Sequence, residues 1–174
     1  MKRLIFTILI ALLVAAVPAT IDAKLKKKTT STPRNEKLAR RLSAESRMLG
    51  KHMLSLQWIS WKYFGSVEIK KEADGTYTCK GEQLAVNCKD AEPECKANGD
   101  YVKLDGTIEV VDRNHLIFNG EIRTKVFHIN NGQEVLREGT FHFDVTNNRH
   151  FWRMQEMTNP ADECVDYIDI YFNK

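Results

Sequence analysis

The chain has 174 residues, a length that suits one folded domain once an N-terminal leader and linker are set aside. Its formal net charge of +3 hides an asymmetry, because residues 24–51 carry ten Lys or Arg against two Glu. Residues 53–174 hold 14 Lys or Arg against 20 Asp or Glu, which excludes a domain that is basic throughout. The sequence therefore predicts an acidic folded body with a basic N-terminal arm.

Residues 1–23 are typical of a secretory signal peptide. Lys2 and Arg3 give it a basic start, and residues 4–17 form its apolar core. The apolar run is too short to span a bilayer comfortably, and an uncleaved anchor is the alternative interpretation. No cysteine lies near the end of this segment, which excludes a lipid-anchored lipoprotein. We therefore predict a secreted or periplasmic protein.

A linker and a helix are predicted to follow. Residues 24–35 are basic and rich in Ser, Thr and Pro, with too little apolar surface to fold. Residues 36–53 are predicted to form an amphipathic helix, because Leu38, Leu42 and Met53 recur at helical spacing opposite a basic side. This arm either contacts a membrane surface or nucleic acid, or packs its apolar side on the acidic domain. It lacks aromatic side chains that stack on bases or insert into lipid, which favours packing over contact with a membrane surface or with nucleic acid.

Residues 54–174 are predicted to form a mainly β domain of eight or nine antiparallel strands. A bent sheet with that many strands closes readily into a barrel, because closure removes its edges. We therefore predict a single antiparallel meander, closed or strongly bent, preceded by one α-helix. The clearest strands are predicted at residues 54–64, 66–71, 76–80, 101–111 and 164–172.

The strand register from residue 116 to residue 157 is predicted from two turns, Asn131-Gly132 and Asn147-Asn148. Two-residue turns there place Phe118 opposite Val145, and both Gly120 and Trp152 opposite Phe143. Matching the apolar faces of the two preceding strands places Gly106 opposite Gly120. We therefore expect the two rings to lean over bare glycine backbone where the sheet bends, in one row that contains Gly106, Gly120, Phe143 and Trp152.

The same register predicts a polar row on the outer face of the sheet. A histidine between Glu and Arg could titrate near neutral pH or help to hold an ion. The alternative is a solvated face with complementary charges. The row consists of Asp105, Glu121, His142 and Arg153.

On the inner face, the apolar rows give way to polar side chains toward one end. Polar groups that converge above an apolar cavity floor suit the mouth of a ligand site. The alternative is that the core ends there and these side chains face water. The predicted inner rim consists of Thr124, His128, Arg137 and Glu156.

Four cysteines in an exported chain favour two disulfides. We predict that Cys88 pairs with Cys95 across a short polar loop, and that Cys79 pairs with Cys164 to tie an early strand to the last one. A zinc site is not favoured, because no Cys-x-x-Cys spacing occurs.

No enzyme motif is present: Gly-x-Ser-x-Gly, His-Glu-x-x-His and a phosphate-binding glycine loop are all missing from the sequence. We therefore expect no cofactor. We interpret the three tryptophans, Trp58, Trp61 and Trp152, as packing residues rather than as binding residues.

A signal peptide, an amphipathic helix, Trp58 in the first strand and a meander of about eight strands together resemble secreted lipocalin-like (calycin) β-barrels. The resemblance covers residues 54–174 and implies a closed antiparallel barrel. Leu56-Gln57 precedes Trp58 where that family usually has Gly-x-Trp. The runs 149–157 and 166–172 also look like an uncharacterised group of exported bacterial proteins, and that resemblance implies no function.

Three functions are consistent with these patterns. The first is an exported non-enzymatic protein that holds a small, partly apolar ligand inside its barrel. The second is a protein-interaction module, such as an inhibitor or envelope-assembly factor, that uses its basic arm or an exposed strand. The third is a hydrolase without a familiar motif.

Overall fold

The computed structural model describes residues 32–85 and 99–172. These residues form one helix and eight antiparallel strands that close into a barrel in chain order, which confirms the predicted fold class. Within the described ranges, no helix is long and apolar enough to cross a membrane. The elements are α1 (Pro33–Met48), β1 (Gly50–Leu56), β2 (Gly65–Lys71), β3 (Tyr77–Leu84), β4 (Tyr101–Val110), β5 (His115–Lys125), β6 (Val135–Asp144), β7 (Phe151–Met154) and β8 (Ile168–Tyr171).

Several predictions lie outside the described residues. They concern the signal peptide at 1–23, residues 24–31 of the basic linker at 24–35, and the Cys88–Cys95 bridge.

Helix α1 starts at Pro33, whose fixed φ suits the first position of a helix, and ends at Met48. It therefore ends five residues before the predicted boundary. Gly50 adopts a φ of +110°, which leaves helical geometry and turns the chain into β1. Met53 consequently lies in β1 and not on the apolar side of the helix.

The barrel closes because β1 pairs with β8, with Met53 opposite Tyr171 and Leu56 opposite Ile168. Neighbouring strands are all antiparallel, so their connections alternate between the two ends of the barrel. We call the end where α1 meets β1 the helix end, and the opposite end the loop end. The helix end carries the turns 72–76, 111–114 and 145–150, and the loop end carries the connections 57–64, 126–134 and 155–167.

Large apolar side chains fill the barrel interior. Phe118, Phe143 and Trp152 are each less than 2% exposed, which confirms that Trp152 is a core residue. The Phe118 ring lies 6.2 Å from the rings of both Phe141 and Phe143. Met48 extends the same core from α1 into the helix end. Eight strands enclose a space just wide enough for side chains to fill in this way.

The β4–β5 register is confirmed, with Val110 opposite Leu116 and Gly106 opposite Gly120. The predicted β5–β6 register is wrong by four residues, because Phe118 lies opposite Phe141 and not Val145. The chain leaves β5 early and forms a nine-residue connection at 126–134. Since a shift of four residues is even, the predicted inner and outer faces of the strands are nevertheless preserved.

The early departure from β5 has a packing cause. Val126 and Ile129 in the connection are 3% and 5% exposed and join the core, so they plug the loop end. A short 3-10 turn at Asn130–Gly132 then reverses the chain, and Asn130 and Asn131 take φ values of +48° and +54°. Asparagine tolerates this left-handed geometry, so the turn residues were correctly identified and the loop length was not.

The turn at Asn147-Asn148 is present, and both residues take left-handed φ values of +53° and +55°. The Arg149 N–H donates to the Thr146 carbonyl at 3.1 Å, as expected of a two-residue turn. Beyond the turn, Phe143 pairs with Met154 and not with Trp152. The reason is that the first two residues of β7, Phe151 and Trp152, precede the part of the strand that pairs with β6. The predicted β6–β7 register is therefore wrong by two.

The predicted glycine row is half right. Gly106 and Gly120 are partners, but the next residue in the row is Gly139 and not Phe143. A Cβ atom at Gly106 would lie 2.4 Å from the Asn119 carbonyl oxygen and 2.9 Å from Cζ of Phe118. The ring over the bare backbone therefore belongs to Phe118, and the strands approach so closely there that only glycine fits.

The predicted Cys79–Cys164 disulfide is wrong, because both residues are free thiols. Cys79 points into the core from the middle of β3, whereas Cys164 lies in the 155–167 connection at the loop end. Burial raises the pKa of the Cys79 thiol to about 12, so this side chain acts as a small apolar core residue.

Candidate functional site

A buried polar cluster closes the loop end of the barrel. Its centre is Asp166, a carboxylate that is 1% exposed. Its Oδ1 accepts a hydrogen bond from Trp58 Nε1 at 3.0 Å, and its Oδ2 accepts one from Asn159 Nδ2 at 2.9 Å. These bonds join the 57–64 and 155–167 connections, so Asp166 holds two loops together over the core.

Arg137 faces this cluster from β6. Its side chain is 9% exposed, and Nη1 lies 4.0 Å from Asp166 Oδ2. Nη2 donates to the carbonyl oxygen of Glu156, while buried Nη1 has no hydrogen-bond partner. The guanidinium carbon also lies 5.2 Å from the centre of the Phe141 ring, a cation–π contact. The ion pair is therefore long, and the contact with the Phe141 ring also helps to hold the Arg137 side chain in place.

Burial shapes the electrostatics of this pair. Removal from water raises the pKa of the Asp166 carboxyl, and the hydrogen bonds from Asn159 and Trp58 oppose that shift. Removal from water likewise lowers the pKa of Arg137, and the charge of Asp166 opposes it. Each charge thus offsets part of the desolvation of the other.

The structure places the four predicted inner-rim residues at the loop end but does not gather them into one site. Thr124 is buried in the wall opposite Val135. His128 is exposed, with its ring 5.5 Å from the Trp58 ring. Of Glu156, Arg137 contacts the backbone carbonyl and not the carboxylate, because the carboxylate points to the outer face and meets His142. The pattern missed Trp58, Asn159 and Asp166 because they lie in irregular connections, where strand alternation does not apply.

The predicted outer row is only partly formed. Asp105 and Glu121 are cross-strand partners. His142 instead lies opposite Ile117, and its Nδ1 is 2.7 Å from Glu156 Oε1. The prediction fails at this point because it used the incorrect β5–β6 register.

Arg153, the last member of that row, forms a separate pair with Asp169. Its Nε and Nη2 donate to the two carboxylate oxygens at 2.7 and 2.6 Å. The guanidinium carbon lies 4.2 Å from the centre of the Tyr167 ring and 5.1 Å from that of Phe151. Burial raises the pKa of Asp169, and the bonds from Arg153 oppose the shift. This bidentate, stacked pair stabilises the β7–β8 junction.

A depression of about 680 Å³ lies outside the barrel between α1 and strands β3 to β5. We call it the helix groove. Lys37, Arg40 and Arg41 of α1 form one side, and it faces Tyr77, Thr107 and Asn119 on the barrel. Sequence patterns did not predict this groove, because its two walls are far apart in the chain.

A hydrogen-bond network fixes one wall of the helix groove. Arg41 Nη2 donates to the Tyr77 hydroxyl at 3.1 Å, and the hydroxyl donates to the Glu45 carboxylate. Lys71 Nζ lies 3.0 Å from the same carboxylate. The Tyr77 hydroxyl and the Lys71 ammonium lower the pKa of Glu45. The network therefore holds the middle of α1 against β3.

Two cations on the α1 side of the helix groove remain available to a ligand. Lys37 and Arg40 are exposed, and neither forms a hydrogen bond or ion pair with another residue in the described ranges. Across residues 32–85 and 99–172, no group of three or more His, Cys, Asp or Glu side chains is placed to hold a metal ion. The groove therefore combines cations, hydroxyls and apolar side chains with two carboxylates, those of Glu36 and Glu109.

Comparison with known proteins gives a relative but no solved structure. The PM1083 family matches residues 29–172. Uncharacterized protein PM1083 from Pasteurella multocida (strain Pm70) is 42% identical over 128 residues, which cover 74% of this chain and 75% of the relative. No solved structure matches. The chain belongs to the PM1083 family.

Proposed function

We propose that the protein is a non-catalytic binding protein that holds a small amphipathic anion in the helix groove. The observation that carries this proposal is the position of the groove, which offers about 680 Å³ beside the exposed cations Lys37 and Arg40. That volume lies in the range of small-molecule sites.

Because side chains pack the barrel interior, we propose that the ligand binds on the outer wall of the barrel. Phe118, Phe143 and Trp152 occupy the space in which a lipocalin-like barrel would hold its ligand. Val126 and Ile129 cover that core at the loop end. A ligand of the predicted partly apolar class therefore has better access to the helix groove than to the interior.

The groove lining defines the chemistry of the ligand. Pro33, Val111 and the Tyr77 ring provide apolar contact, and Val111 is 54% exposed. Lys37 and Arg40 provide the cations that would meet a carboxylate, sulfate or phosphate group at the other end. A guanidinium binds such groups through two parallel N–H donors.

The test is binding of medium-chain fatty acids and aryl carboxylates, measured by native mass spectrometry and calorimetry. Arg40→Ala should weaken binding about tenfold, because a charge-assisted hydrogen bond contributes roughly 1.5–3 kcal/mol. Thr107→Trp should abolish binding by filling the groove. Ser66→Trp is the matched control, since Ser66 is an exposed β2 residue outside the groove. Binding that survives Thr107→Trp would place the ligand elsewhere and contradict the proposal.

A further inference from the structure

The N-terminal half of α1, residues 33–42, contacts the barrel through Arg41, which donates to the Tyr77 hydroxyl. All residues from Pro33 to Leu42 are exposed, and only Ala44 and Met48 of the helix are buried. Helical segments this short are marginal in water unless one face is packed. The exposed half is therefore a surface available to a partner.

One face of this half is uncharged. Leu38 and Leu42 lie one turn apart and are each 55% exposed. Asn35, Ala39 and Ser46 lie on the same side at 100° per residue, and we call these five residues the outer face of α1. Lys37, Arg40 and Arg41 lie on the side that lines the helix groove. The outer face and the groove are thus separate surfaces.

The charge of α1 selects an anionic partner. Helix α1 carries five Lys or Arg against two Glu. The body at 53–174 is acidic, with 14 Lys or Arg against 20 Asp or Glu. Packing two copies of α1 against each other would bring like charges together. A surface of fixed negative charge attracts α1 and repels the body, which also orients the molecule.

The spacing of the leucines favours a lipid surface over a protein groove. A helix that docks in a groove uses apolar anchors at i, i+4 and i+7 or i+8. Here the positions after Leu38 and Leu42 are Glu45 and Ser46, so the anchors end after two. Shallow insertion of two leucines, with Lys and Arg reaching phosphate groups, is the pattern of an interfacial helix.

We propose that the outer face of α1 docks the protein on membranes rich in anionic phospholipid. Leu38 and Leu42 enter the interface, the exposed Arg34 one turn before Leu38 meets the headgroups, and the acidic barrel is held toward water. This docking is independent of ligand binding in the helix groove.

The test is co-sedimentation of the purified protein with vesicles of phosphatidylglycerol and phosphatidylcholine at equal ratio, and with vesicles of phosphatidylcholine alone. We expect binding to the anionic vesicles only, and its loss in high salt. The double variant Leu38→Ser and Leu42→Ser should bind about tenfold more weakly, since it removes two inserted side chains. Thr107→Trp should leave vesicle binding unchanged even if it abolishes ligand binding.

A matched control uses two exposed leucines of the barrel. Leu84 and Leu136 are 52% and 41% exposed, and Leu84→Ser with Leu136→Ser should leave vesicle binding within about twofold. Equal binding to neutral vesicles, no binding at all, or an equal loss in the control variant would overturn the proposal. Dimers in sedimentation velocity that require Leu38 and Leu42 would also overturn it, because they would identify a second copy as the partner.

Discussion

At the scale of single residues, the contact between His142 and Glu156 replaces the predicted row of four. Hydrogen bonding to the Glu156 carboxylate raises the pKa of His142. Burial acts to raise the pKa of Glu156, but the side chain and backbone of His142 outweigh it, so that pKa is lowered. The histidine proposed from sequence for its titration therefore does have a carboxylate partner, although a different one.

A pH dependence follows from this pair. Because the pKa of His142 is raised in the folded state, the stabilisation is fully present below the usual histidine pKa and disappears as pH rises through the raised value. Glu156→Gln should return the pKa of His142 toward its usual value and remove that pH-dependent step. Titration of the His142 ring by NMR measures both. An unchanged pKa in the variant would mean that the pair is not formed in solution.

At the scale of elements, His52 joins three parts of the fold. It is 2% exposed in β1, and its Nε2 lies 2.6 Å from the carbonyl oxygen of Met48 at the end of α1. Its Nδ1 lies 3.0 Å from the carbonyl oxygen of Tyr171 in β8. The ring also contacts Trp152 edge-on at 5.7 Å. This residue therefore couples helix docking to barrel closure.

Replacement of His52 tests this coupling. His52→Phe keeps a ring against Trp152 but removes the ring N–H, so at least one of the two carbonyl groups loses its donor. We expect a loss of about 2–4 kcal/mol in the free energy of unfolding, measured in urea. His150→Phe is the matched control, because His150 is exposed at the 145–150 turn, and it should change stability by less than about 0.5 kcal/mol. Equal losses in both variants would show that the ring contacts do not matter.

At the scale of the whole molecule, Arg137 and Asp166 close the loop end. They come from β6 and from the connection before β8, and their side chains are 9% and 1% exposed. Removing one partner leaves the other charge buried without compensation.

A double-mutant cycle measures this closure. Arg137→Met and Asp166→Asn should each destabilise the fold by roughly 2–4 kcal/mol in urea unfolding. The double variant should lose less than the sum by about 1 kcal/mol, a modest coupling because the pair is 4.0 Å apart. Arg123→Met with Glu134→Gln is an exposed control pair on the outer face, for which we expect coupling below about 0.5 kcal/mol. Strictly additive losses at Arg137 and Asp166 would contradict the closing role.

The alternation of apolar and polar residues determined much of this fold. In residues 101–125 it identifies two strands and their inner faces, because side chains of a strand alternate with a period of two. Matching those faces gave the β4–β5 register, including the Gly106–Gly120 contact. Turn residues located the hairpins at 131–132 and 147–148, because asparagine and glycine tolerate left-handed geometry.

Only the tertiary structure decided where each strand stops and what meets at the barrel ends. The β5–β6 register depends on Val126 and Ile129 leaving the ladder to plug the core, a gain in burial that local sequence does not encode. Arg137 meets Asp166, and α1 forms the helix groove, because closure brings distant segments together. The sequence by itself determined the strands, their faces and the charged arm, since these depend on neighbours in the chain. Register and sites depend on packing, which only the closed barrel defines.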